Sequence, residues 1–338
     1  MSEPAILLCG HGSRDIEAIR EFEALAAGMR TRLPGRRIDH GFLEFARPTL
    51  GTVLHRLRDE GAREIHALPG MLFAAGHAKN DIPSVLNDFQ AAHADVTVRY
   101  GRDLAIDPLM LRAARERIEA AERATSTAIE RADSVLLVIG RGTNDPDANS
   151  NVAKVARLLA EGMGYGWGAA GYSGVAHPRT DAALGRLLRL GFRRIVVFPY
   201  FLFTGVLVKR IYAAADEAAA AQSKVEIVKA PYLNDHPLVL QAFNERLDEI
   251  AVGRNLMNCQ MCKYREQIIG YERDLGAPQA GHHHHVEGIG TDADHAHHHG
   301  HDGHHHHHGH HHHDDHHHHH HEHEASSTSN GKAPRRDG

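Results

Sequence analysis

Three motifs in this chain of 338 residues each occur twice, 130 positions apart, and that repeat constrains the fold more than any other feature. "CGHGSRD" at 9–15 returns as "IGRGTND" at 139–145. "GFLEFARPT" at 41–49 returns as "GYSGVAHPR" at 171–179, and "LPGMLFAAGHAK" at 68–79 as "FPYFLFTGVLVK" at 198–209. Chance rarely keeps one offset through three motifs, so the chain reads as two copies of one folding unit. Within each copy, short apolar runs alternate with segments whose apolar residues fall at helical spacing. In the first copy the runs "AILLCG" (5–10), "IDHGFLEF" (38–45), "EIHALPGML" (64–72) and "VTVRY" (96–100) read as strands. Helices follow each of them, for example over 16–29, where Ile16, Ile19, Phe22, Ala26 and Met29 share one face. Such alternation predicts an α/β architecture, with a parallel sheet in each copy covered by helices on both faces. The domains expected are 1–125, 126–253, a CxxC segment over 254–280 and a tail over 281–338, with the link between the copies near 122–133.

The tail separates itself by composition. It holds 25 of the 33 histidines, interleaved with Gly, Asp and Glu, and has too little apolar content to bury a core, so it reads as disordered. Its nine acidic and three basic residues carry −6, whereas the whole chain carries only −5. The rest is therefore close to neutral, and no basic field points to nucleic acid. No run of about 18 apolar residues suggests a membrane span. The start "MSEPAILLCGHGS" lacks the basic leader of a signal peptide. Three cysteines, two of them in one CxxC, fit a reducing cytoplasm better than a disulfide scaffold.

Comparing the copies at their polar positions points to a site. His11 becomes Arg141, Glu44 becomes Gly174 and His77 becomes Leu207. The frame around them persists: Gly10, Gly12, Pro48 and Pro69 match Gly140, Gly142, Pro178 and Pro199. A histidine that merely supports the frame should survive with it. Here three polar groups vanish together from one copy, so they act together in the other. All three belong at or just beyond the carboxyl ends of strands, where parallel sheets bind ligands. Two imidazoles and a carboxylate converging there suit a divalent transition metal. Gly10 and Gly12 also allow a phosphate-cradling turn, although "GHGSRD" is neither GxGxxG nor a Walker sequence. His40, His55, His66 and His93 follow no such pattern and read as surface or packing residues.

The segments "LLCGHGSRD", "FLEFARPTL", "LPGMLFAAGHAKNDIP" and "MNCQMCKYR", together with the histidine-rich tail, resemble the class II tetrapyrrole chelatases, in particular the long-form CbiX branch. That resemblance covers nearly the whole chain. It implies two flavodoxin-like lobes and insertion of Co(II) into sirohydrochlorin on the anaerobic route to cobalamin. Close relatives insert iron for sirohaem, or nickel. It implies that His11 and His77 bind the metal, that His11 accepts a proton, and that Glu44 faces the macrocycle. The loop Leu72, Phe73, Ala74, Ala75 and Gly76 should lie against the substrate, with Arg14, Arg47 and Lys79 as weaker candidates for its carboxylates. No nucleotide is required. The second copy, lacking the triad, should close the cleft without catalysing.

Cys259 and Cys262 alone fit a redox dithiol, a zinc half-site or thiols without a role. The resemblance adds an Fe–S centre. Because such a cluster usually takes four thiolates, it would need a homodimer pooling its pairs, or non-cysteine ligands. The tail reads as a loose multi-site buffer for divalent metal, or as a solubilising extension. A storage protein without catalysis would explain the tail but not the triad, and an Fe–S redox protein would explain only the CxxC.

Overall fold

The computed structural model describes residues 3–254 and 262–276; Cys259 and the tail over 281–338 lie outside the described residues. The first lobe carries strands β1 (Ala5–Gly10), β2 (Ile38–Phe42), β3 (Glu64–Pro69) and β4 (Thr97–Tyr100), with helices α1 (Ile16–Arg32), α2 (Leu50–Asp59), α3 (Ile82–Ala92) and α4 (Pro108–Arg123). The second lobe repeats the order. Its strands are β5 (Ser134–Gly140), β6 (Trp167–Tyr172), β7 (Arg194–Pro199) and β8 (Glu226–Lys229). Its helices are α5 (Pro146–Met163), α6 (Thr180–Leu187), α7 (Val206–Ala221) and α8 (Pro237–Ala251). Each lobe is one parallel four-stranded sheet, ordered β2-β1-β3-β4 and β6-β5-β7-β8. The two-lobed parallel α/β architecture expected from the repeat is what the chain adopts. Among the described residues no helix is long and apolar enough to cross a membrane.

Side-chain alternation along the central strands divides the interior into three cores. Ile6 and Leu8 of β1, with Leu136 and Val138 of β5, enter one large core that both lobes share. Ala5, Leu7 and Cys9 face a separate core under α2 and α3, while Val135, Leu137 and Ile139 face another under α6 and α7. Cys9 is thus sealed within the first lobe, and burial raises its thiol pKa far above the ordinary range.

The last helix of each copy covers the other copy. α8 packs against β3, α1 and α4, while α4 packs against α5 and β8. A buried arginine fixes the exchange: Arg246 of α8 pairs with Asp107, whose carboxylate also caps α4 by accepting from the Leu109 N–H at 2.8 Å. Arg117 of α4 reciprocates by donating to the Leu233 carbonyl at 2.8 Å.

A second reciprocal pair joins the loops beyond the strands. Lys79 Nζ lies 2.8 Å from Asp145, and its counterpart Lys209 Nζ lies 2.8 Å from Asp15. The two copies therefore meet as a pseudo-twofold pair, with each surface patch answering its own duplicate. The expectation that Lys79 meets an anionic substrate is overturned by this contact. Its side chain is 4% exposed, and its ammonium is bonded to Asp145 and Asp147.

β2 ends at Phe42 instead of running on to Phe45 as the apolar pattern suggests. Phe45 takes a φ of 62°, a left-handed value that turns the chain out of the strand. Its counterpart Val175 does the same at 52°.

Burial separates the two lysine pairs energetically. Lys79→Ala leaves Asp145, which is fully buried, without its counter-charge and should cost about 3 kcal/mol in urea unfolding. Lys209 is 54% exposed, and Lys209→Ala should leave the unfolding midpoint nearly unchanged.

Candidate metal centre

Parallel register brings three strand ends level. Gly10 sits opposite Phe42, and Cys9 opposite Pro69, so the chain leaves β1, β2 and β3 along one edge. Beyond that edge the first two loops stay hydrogen-bonded. The Leu43 N–H donates to the Gly10 carbonyl at 2.8 Å, and the Glu44 N–H to the His11 carbonyl at 3.0 Å. Such closeness requires glycine at position 12, where φ is 92° and a Cβ would lie 1.7 Å from the Glu44 carbonyl oxygen. The imidazole of His11 and the carboxylate of Glu44 are consequently set side by side, with Nε2 to Oε1 at 2.9 Å.

His77 arrives from the third loop by a different device. Residues His77–Asp81 form a π turn, in which the Ile82 N–H bonds the His77 carbonyl, and α3 continues from it. The corresponding helix of the second lobe, α7, is regular. On the π turn, His77 Nδ1 lies 2.7 Å from Asp81 Oδ2, and Asn80 donates to the other Asp81 oxygen at 2.8 Å. The ring centroids of His11 and His77 are 4.3 Å apart. One donor atom each from His11, Glu44 and His77 falls within a mutual 4.8 Å.

The bonds on the far sides of the rings decide which nitrogens can bind an ion. His11 Nδ1 faces the Gly12 carbonyl at 2.8 Å and must donate to it. His77 Nδ1 faces a carboxylate and also donates. Both Nε2 atoms therefore carry the lone pairs open to a metal ion. Metal–ligand bonds of about 2.1 Å hold donors no more than about 4.2 Å apart, so shifts of a few tenths of an ångström close the set. The His11–Glu44 bond needs a proton between its two atoms, and a bound cation takes that proton's place. Burial holds the His77 pKa below the ordinary imidazole value. The Asp81 bond opposes this, while the nearby charges of His11 and Arg141 add to it. His77 thus stays neutral, the form that binds metal, further into acid than a free imidazole does.

The remaining predicted positions are distributed around this centre. Leu72 and Phe73 pack against the shared core, Phe73 stacking on Tyr200 of the second lobe at 5.7 Å. Ala74 is buried, and its N–H donates to Asp103 at 2.9 Å. Burial pushes the Asp103 carboxyl up to about 6. Ala75 and Gly76 are half-buried and lead directly into His77. Arg14 and Arg47 are exposed, and Arg14 lies over the Phe45 ring. Cys262 is buried and free, while its CxxC partner Cys259 lies outside the described residues. Two residues beyond Cys262, the Tyr264 hydroxyl approaches Gly76, lying 4.0 Å from where a Cβ there would be.

Sequence comparison of the copies overlooked Asp81. The signal was present: its counterpart is Ile211, so the carboxylate that fixes His77 disappears along with His77 itself. Phe45 was a further omission. Its ring sits 5.9 Å from that of His11 and walls one side of the centre.

Known proteins similar to this chain share both its sequence pattern and its shape. The sequence pattern of the CbiX family matches it twice, over residues 5–121 and 135–250. A sirohydrochlorin cobaltochelatase of Priestia megaterium is 35% identical over 265 residues, covering 78% of this chain and 86% of the relative. A sirohydrochlorin ferrochelatase of Bacillus subtilis strain 168 is 28% identical over 249 residues, covering 74% and 92%. The solved structure of SirB from Bacillus subtilis with Fe3+ superposes with a TM-score of 0.66 at 27% identity, over 76% of this chain and all of that one. The sirohydrochlorin chelatase SirB of subspecies spizizenii in complex with cobalt gives 0.62 at 27% identity, over 75% and 97%.

Two measurements test the donor assignment. Cobalt titrated into the protein in buffers of different ionisation enthalpy should release about one proton per ion bound at this centre, and His11→Ala should abolish that release. Asp81→Asn should weaken cobalt binding there by about 10- to 100-fold, because His77 loses the partner that fixes its tautomer.

Proposed function

From the premise that this chain belongs to the CbiX family, we propose that it inserts Co(II) into sirohydrochlorin. The observation that carries this reading is the convergence of His11, Glu44 and His77 within 4.8 Å at the end of the first sheet, on a frame whose duplicate has lost all three. Both the cobalt and the iron enzymes are relatives, and imidazole with carboxylate does not separate the two ions. The identity of 35% to the cobaltochelatase, against 28% to the ferrochelatase, supports cobalt.

The residues account for the reaction as an exchange of protons for an ion. His11 Nε2, His77 Nε2 and a Glu44 oxygen hold the ion on one side and leave its other positions open. The flat macrocycle lies across those positions, and its pyrrole nitrogens replace the protein donors stepwise. The imidazole nitrogens of His11 and His77, as the ion leaves them, each accept one of the two pyrrole N–H protons that the macrocycle must lose, since imidazole basicity lies near working pH. Glu44 passes both protons on to water and rebalances the centre as the ion leaves. No electron moves, because the ion enters and leaves divalent, and no nucleotide is used. The tail acts in this reading as a mass-action store of divalent metal, and Cys259 and Cys262 take no part in chelation. The cytoplasm, where such thiols stay reduced, is the proposed location.

Absorbance assays with sirohydrochlorin test the proposal. His11→Ala and His77→Ala should each lower kcat by about 10²-fold or more at saturating cobalt. Removal of residues 281–338 should preserve the rate at saturating metal. Cobalt should be inserted faster than iron at matched free concentration. Iron insertion without cobalt activity would make the protein a ferrochelatase, and tight metal binding without turnover by the intact chain would make it a store.

A further inference from the structure

The second copy has not simply lost its metal ligands. Where His11 stands in the first loop, the second loop carries Arg141, and the backbone around it is the same. The Gly174 N–H donates to the Arg141 carbonyl at 2.8 Å, as the Glu44 N–H does to His11. Gly142 takes a φ of 80°, and a Cβ there would lie 2.0 Å from the Gly174 carbonyl oxygen, reproducing the constraint at Gly12. Arg141 is thus held as rigidly at its backbone as the metal-site histidine.

Its loop is set against the first lobe's centre: Asp145, four residues beyond Arg141, holds Lys79, two residues beyond His77, at 2.8 Å. Arg141 is exposed to solvent. Among the described residues it makes no side-chain hydrogen bond and no ion pair. That sets it apart from the arginines that hold the fold together, such as Arg246 on Asp107, Arg102 on Glu249, Arg131 on Glu122 and Arg194 on Glu226. In the neighbouring connections, Val175 in the loop after β6 is 67% exposed and Val206, the first residue of α7, is 61% exposed, at the positions following the lost Glu44 equivalent and preceding the lost His77 equivalent. Sheet order β6-β5-β7 places Arg141 between them. The second lobe therefore presents one uncommitted guanidinium flanked by exposed apolar side chains.

We infer that Arg141 binds a peripheral carboxylate of the tetrapyrrole and sets the ring over the metal triad from the opposite lobe. The inference rests on the proposed chelatase reading and adds to it a substrate-binding residue. A guanidinium forks onto a carboxylate through two parallel N–H···O bonds, which fixes orientation as well as position. Valines beside it suit the apolar edge of the macrocycle between its acidic arms. The substitution of His11's counterpart by arginine also leaves the second lobe without an imidazole to compete for the ion. The duplicated frame then delivers metal from one loop and anion recognition from the other.

The test separates substrate binding from catalysis in the intact protein. Metal-free sirohydrochlorin is titrated by fluorescence into wild type, Arg141→Ala and Arg141→Lys, and cobalt insertion is followed under the same conditions. Arg141→Ala should raise the tetrapyrrole Kd and the KM at least about tenfold and keep kcat within about twofold. Lysine, which keeps the charge but not the fork, should restore only part of the affinity. Cobalt binding at the triad should be as tight as in wild type, or tighter. Because the side chain is exposed and carries no structural bond, folding should be unaffected. An unchanged Kd in Arg141→Ala, or a loss confined to kcat, overturns the inference while wild-type turnover leaves the chelatase reading standing. Wild type that neither binds nor metallates sirohydrochlorin overturns both.

Discussion

The arrangement depends on one close approach of backbone to backbone. Gly12 passes so near the Glu44 carbonyl that no side chain fits between them. The hydrogen bond from the Glu44 N–H to the His11 carbonyl then carries β-type pairing beyond the end of the sheet. Strands alone would splay their loops apart at this edge. The glycine contact keeps two loops together and turns adjacent strands into adjacent side chains. Phe45 with its positive φ redirects the chain immediately afterwards, and the π turn at His77 aims a third donor at the same point. Because Gly142 and Gly174 repeat the contact in the second lobe, the frame and the chemistry mounted on it are separable. One frame can carry imidazole or guanidinium without changing its backbone.

Much of this was legible before any coordinates. A constant offset between copies implies a duplicated unit, and alternation of apolar runs with helical periodicity implies parallel sheets. Joint loss of His11, Glu44 and His77 from one copy singled out the residues that the fold brings together. What escaped notice has physical reasons. Periodicity reveals that α4 and α8 each bury an apolar face, but the face against which they bury it depends on a tertiary exchange. Lys79 resembled a solvated cation suited to an anionic substrate. Its partner Asp145 is 66 positions away, and burial of the pair is not visible in local sequence. Asp81 shows the same signal of loss in its counterpart Ile211, but its role depends on the π turn that brings its carboxylate to His77, which local sequence does not show. Arg141 marks in sequence only the loss of an imidazole, because the surface its loop meets is set by tertiary packing between the lobes.

The asymmetry between the lobes fits an ion that is cargo and not a resident cofactor. A resident ion is usually enclosed by four or more protein donors with their outer partners fixed. Here three donors come from one lobe, and the facing loop of the other lobe supplies a cation that disfavours a second metal ligand there. Two of the three donors are themselves fixed from behind, by the Gly12 carbonyl and by Asp81. In the proposed reaction they are ordered well enough to receive an ion and few enough to release it. The shared core and exchanged helices hold the lobes in register, so that the two loops keep their opposition.

Cobalt-edge anomalous diffraction from crystals of the full chain soaked in Co(II) tests the central claim most directly. The account predicts an anomalous peak within about 2.3 Å of His11 Nε2, His77 Nε2 and a Glu44 oxygen together. Density that leaves these three atoms bare while cobalt occupies histidines elsewhere would contradict it.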